Sequence, residues 1–185
     1  MNTTTPNTEA YVNYQTSANP IPTHMVFPPP LSENRITLLI SKGIDKEIAK
    51  IDLEMVKMKL RDKEEGEGWS VNETETNEIE YKRWLTLVKK YGKGMVPTKA
   101  IDIFWHQHIL DTHAYFADCQ KNFGGYLHHY PYFGMRGEQD AKDLENSFYR
   151  TKKLYEESFN ETIGANSGES CHHDCESRCW HACSN

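Results

Sequence analysis

The sequence predicts an all-α protein, a single domain of about four principal helices around one buried, histidine-bearing helix, and three observations carry that prediction. Apolar residues recur at alternating spacings of four and three over long stretches. No stretch alternates apolar with polar over more than a few residues. The segment from residue 99 to about 122 is apolar nearly all round, and a helix apolar on most faces is the one that a fold buries.

The elements follow in order. Residues 1–34, rich in Thr, Asn and Pro, show no helical or strand period and read as an extended or disordered arm, with Met25, Val26 and Phe27 placed to pin it as a polyproline-like strap. The helical domain is expected over residues 35–163. Periodicity begins near Leu38, and Ile44, Ile48, Ile51, Met55 and Met58 predict one amphipathic helix about four turns long. The charged, glycine-broken stretch 62–68 ends it. A second helix carries Tyr81, Trp84, Leu85, Val88 and Tyr91 on one face and stops at Gly92 and Gly94. Pro97 and Thr98 open the third, central helix, which Gly124 and Gly125 close. An aromatic loop over residues 126–135 leads to a last helix bearing Ala141, Leu144, Phe148, Tyr155 and Phe159. Residues 164–170 have the composition of a flexible linker, and residues 171–185 form a Cys/His-rich tail too short and polar to bury a core.

Length and charge narrow the functional classes. A chain of 185 residues holds one compact domain plus tails. Twenty-one Lys and Arg against 27 Asp and Glu leave a formal charge of −6, which offers no electrostatic footprint for nucleic acid or an anionic membrane. No stretch reaches the roughly 18 to 20 apolar residues of a membrane span. The first residues lack the basic and apolar regions of a secretory signal, so the expected location is cytoplasmic, with reduced thiols.

Histidine and cysteine are unevenly spread, and the chemistry is expected where they gather. Five of the nine His lie between His106 and His129. On a helix, Asp102, His106 and His113 fall within about 40° of one another and form one polar stripe. His108 points elsewhere, toward the face of Asp111, Thr112, Tyr115 and Cys119, unless the helix bends so that His106 and His108 converge with His128 or His129 from the following loop. Imidazoles beside a carboxylate suit zinc, copper or iron, which makes Asp102, His106, His108, His113, His128 and His129 candidate metal ligands. The competing reading is a buried His/Asp/Tyr hydrogen-bond network that only fixes the fold. A metal-free thiolate at Cys119 is disfavoured by its place near a helix C-terminus. Nucleophile-elbow, phosphate-loop, EF-hand and His-Glu-x-x-His patterns are absent from the sequence.

Residues 101–119 with 123–134 resemble the glycine-rich domain-containing protein-like family. Its pattern of an Asp, a Trp-His-x-His, a later Tyr and a terminal His in a short loop matches Asp102, Trp105, His106, His108, Tyr115 and His129. The resemblance implies a recurring polar site in a helical domain and supplies no reaction. The chain departs from plant members, which carry long glycine-rich regions, by ending instead in the Cys/His tail.

That tail spaces Cys171, Cys175, Cys179 and Cys183 four residues apart, with His172, His173 and His181 between them. In a helix these thiols would form a ribbon suited to soft ions such as Cu(I) or Zn(II). The favoured function is therefore a transition-metal-binding protein with a His cluster and a soft-metal tail. The alternatives are a ribosomal peptide precursor, whose helical leader presents a Cys-rich core peptide to a separate modifying enzyme, and a metalloenzyme, hydrolytic or oxidative, acting on that tail.

Overall fold

The computed structural model describes residues 28–92 and 94–164, so the arm before residue 28, the linker after 164 and the tail lie outside the described residues. Within them the chain is all-α as expected, with seven helices and no strand. In chain order these are α1 (Glu33–Ser41), α2 (Lys46–Ala49), α3 (Glu54–Arg61), α4 (Val71–Tyr91), α5 (Lys99–Leu110), α6 (Thr112–Phe123) and α7 (Glu138–Phe159). None is long and apolar enough to cross a membrane.

The first predicted helix is three short ones. Gly43, at φ +84°, turns the chain after α1. Asp45 then restarts it, its Oδ1 accepting from the backbone N–H of Glu47 at 2.9 Å and of Ile48 at 3.1 Å. A further turn precedes α3, where Asp52 Oδ1 accepts from Glu54 N–H at 3.1 Å. Ile44, Ile48 and Ile51 are buried despite the breaks. Met55, read as part of the same stripe, is exposed, and the inner face of α3 is Val56 and Leu60. Caps competed with a continuous apolar period and won.

Helix α4 is the central support. A capping box between Ser70 and Glu73 starts it, and Tyr81, Trp84, Leu85 and Val88 are buried as their spacing predicts. Arg83 ties its middle to both ends of the fold, donating to the Lys42 carbonyl at 3.0 Å and, through two nitrogens, to Glu161 at 2.8 and 3.0 Å. The same α4 face meets α5, and Tyr81 stacks on Phe104 with ring centroids 5.2 Å apart.

The expected central helix is α5 and α6, broken at Asp111. This residue leaves helical geometry at φ −80°, ψ 71° and its side chain accepts from Ala114 N–H at 3.3 Å, so one residue ends α5 and caps α6. The break bears on the site, because His113 no longer continues the stripe of Asp102 and His106. Helix α5 packs against α3, α4 and α6. It buries Ile101, Asp102, Phe104, Trp105 and His108, and Thr98 caps it by accepting from Ile101 N–H at 3.3 Å.

Candidate metal centre

Three of the predicted site residues meet. Asp102 in the first turn of α5 and His106 one turn later share a face, and the loop after α6 brings His129 over them. His129 Nε2 lies 3.1 Å from His106 Nε2 and 3.2 Å from Asp102 Oδ1, while His106 Nδ1 lies 3.6 Å from Asp102 Oδ2. One potential ligand atom from each residue falls within 4.8 Å of the other two. Asp102 is 2% exposed, whereas His106 and His129 are partly open.

This geometry is awkward for hydrogen bonding alone. His129 Nε2 has at most one proton to share between a carboxylate oxygen and another imidazole nitrogen. A cation placed between them would give all three a partner. Donors about 2.0–2.2 Å from one ion, at angles between octahedral and tetrahedral, lie roughly 2.8–3.6 Å apart, and the two closest separations fall in that range.

The loop is held by groups that the sequence singled out without assigning them this task. Trp105 Nε1 donates to the Tyr115 hydroxyl at 2.8 Å, and that hydroxyl donates to the Leu127 carbonyl at 2.5 Å, two residues before His129. The Trp105 ring also packs against His129, with centroids 4.7 Å apart. The residue before His106 and the tyrosine ten residues further on thus set the position of the third member.

The remaining candidates lie elsewhere. His108 is buried on another face of α5, its Nδ1 3.0 Å from the Tyr81 hydroxyl and its Nε2 3.2 Å from Asp118 Oδ2. This is the buried His/Asp/Tyr network foreseen as an alternative, present beside the triad rather than instead of it. The sequence does not point to Tyr81 and Asp118 as its partners: Tyr81 reads as part of an apolar stripe, and Asp118, ten residues on, falls about 80° off the His108 face at helical spacing. His113 is exposed on α6. His128 is exposed, with its ring against Tyr126, centroids 4.9 Å apart. Burial pushes the Cys119 thiol up, away from the thiolate that nucleophilic chemistry needs. Cys171, Cys175, Cys179 and Cys183 lie outside the described residues.

A cavity of about 260 Å³ reaches Asp102 and His129, and its other walls are chiefly apolar, among them Trp84, Val88, Met95 and Leu144. His106 and His129 also border a second recess of about 460 Å³ with Glu65, Glu67 and Gln107. The loop that closes the first cavity turns at Gly134, at φ +96°, where a Cβ would come within 2.6 Å of Leu144 Cδ2. Gly134→Ala should therefore cost about 1–3 kcal/mol, from backbone strain together with the clash. Urea unfolding of the variant measures it, and an unchanged midpoint would contradict the strain argument.

Fold and site together define a class: a protein all-helical over the described residues, with a His₂–Asp cluster that borders an apolar cavity and a second recess carrying Glu65 and Glu67. The chain belongs to the UCP032817-like family, whose sequence profile matches residues 48–163 and so takes in α3 to α7 and the whole cluster. No curated protein and no solved structure matches the chain.

Proposed function

We propose that this chain is a transition-metal-binding protein whose principal centre is Asp102, His106 and His129. The observation that carries the reading is the convergence of two imidazole nitrogens and a carboxylate oxygen at separations of 3.1 and 3.2 Å. Two nitrogens and one oxygen suit Zn²⁺ or Fe²⁺. An ion held by three protein atoms keeps coordination positions open, which is the arrangement of reactive rather than purely structural sites. The resemblance of residues 101–119 with 123–134 to the glycine-rich domain-containing protein-like family supports these residues in part: its Asp, the first His of its Trp-His-x-His and its terminal His fall on Asp102, His106 and His129, while the second His falls on His108, outside the triad. In this reading the cysteines of the tail form a separate soft-metal site or a delivery arm.

The test is native mass spectrometry with elemental analysis of anaerobically purified full-length protein. It is run beside a full-length variant carrying Cys171→Ser, Cys175→Ser, Cys179→Ser and Cys183→Ser. About one equivalent of zinc or iron should remain in the variant. Loss of all metal with the cysteines would assign binding to the tail and remove the helical centre. A covalent mass shift within residues 171–183, seen on denaturation of a metal-free protein, would favour the peptide-precursor reading instead.

A further inference from the structure

We propose that the 260 Å³ cavity beside Asp102 and His129 binds a small amphiphile, an aromatic-sized apolar body with an anionic oxygen head, and presents that head to the bound ion. The inference deepens the metal reading and rests on it.

Size, lining and charge select this class. The volume lies at the small end for ligand sites, which run from about 300 to 1,000 Å³, yet a dry apolar cavity of about 150 Å³ is enough for benzene. One ring with a few further atoms fits. Trp84, Val88, Met95 and Leu144 supply an apolar wall, and Asp102 and His129 line the same cavity. A wholly polar ligand would lose hydration against that wall without replacement partners. A wholly apolar one would leave the open positions of the ion to water. A divalent ion with neutral imidazoles and one carboxylate carries a net charge of about +1, so an anionic oxygen head complements it. The second recess, bordered by Glu67 and by Glu65 in its ion pair with Lys59, has no lysine or arginine among the described residues of its walls to receive such a head. Apolar body and anionic head therefore agree on the first cavity.

The experiment compares two probes that share a head and differ by the ring: benzohydroxamate and acetohydroxamate. Each is titrated into cobalt(II)-loaded full-length protein carrying the four cysteine-to-serine changes, with binding read from the visible cobalt spectrum. Benzohydroxamate should bind at least about tenfold more tightly. Leu144→Trp and Val88→Phe, which fill the cavity from two different helices, should bring the ratio of the two affinities toward one. Cobalt content and acetohydroxamate binding, read in the same titrations, separate a filled cavity from a lost fold. Equal affinities in the cobalt-loaded parent protein, or a ring preference that survives in both folded filling variants, would overturn the cavity assignment and leave the metal centre standing. Failure of the parent protein to take up cobalt would instead bring down the metal centre, and this inference with it.

Discussion

Glu78→Gln should destabilise the protein by about 3–5 kcal/mol, because it removes the shared counter-charge of a buried cationic cluster. Glu78 and Lys82 are fully buried and Lys57 is 2% exposed. Glu78 Oε1 lies 2.8 Å from Lys82 Nζ, and its Oε2 lies 2.7 Å from Arg35 Nη2 and 3.2 Å from Lys57 Nζ. Lys82 also donates to the Ile51 carbonyl at 2.8 Å and the Ala49 carbonyl at 3.3 Å, so the cluster fastens the end of α2 to α4. Glutamine keeps the shape and leaves the cations under-compensated. Glu75, 34% exposed and also paired with Lys57 and Arg35, is the control, and Glu75→Gln should cost less than about 1 kcal/mol. Urea unfolding at pH 7 measures both, and a loss below 1 kcal/mol for Glu78→Gln would refute the argument.

The same cluster sets an acid limit. Burial opposes ionisation of Glu78, but the charges of Lys82 and Lys57, with hydrogen bonds from Lys82 and Arg35, outweigh it and hold the carboxyl at about 2 against the usual 4.5. As pH falls the unfolded chain takes up this proton first. The contribution of Glu78 is complete above about pH 4.5 and is lost progressively toward pH 2. Glu78→Gln should flatten this part of the stability profile.

That cluster was not legible in the sequence, and the reason is physical. Glu78 and Lys82, one helical turn apart, look like an ordinary solvent-facing pair. Only the packing of α2 and α3 over α4, with Arg35 reaching in from α1, encloses them. The helical class was legible, because Tyr81, Trp84, Leu85 and Val88 keep their period in an uninterrupted helix. Helix breaks were not, because Asp45 and Asp111 act as caps inside stretches whose apolar period runs on past them. Asp102 and His106 were legible as a pair, since i and i+4 share a face by geometry. The third member was one of several equivalent candidates, because the path of residues 126–131 depends on Tyr115 holding the Leu127 carbonyl, a contact that no helical period encodes.

His129→Ala and His108→Ala should fail in opposite ways. Loss of His129 removes a donor from the proposed centre and should lower metal affinity at least about 100-fold, since even the groups that merely orient metal ligands are worth about 10- to 100-fold. The side chain is partly open and comes from a loop, so stability of the metal-free protein should fall by less than about 1 kcal/mol. Loss of His108 deprives the fully buried Tyr81 hydroxyl of its partner and should cost about 1–3 kcal/mol, more if the space does not collapse. It should leave metal affinity within a few-fold of the parent, because His108 faces Tyr81 and Asp118 rather than the triad. Competition with a chromophoric chelator gives the affinities and urea unfolding of the metal-free proteins gives the stabilities. The crossed pattern separates a metal centre from a structural histidine network, which a single substitution cannot do. Were His108→Ala to strip the metal while His129→Ala retained it, the ion would belong with Tyr81 and Asp118, and the assignment to Asp102, His106 and His129 would be wrong.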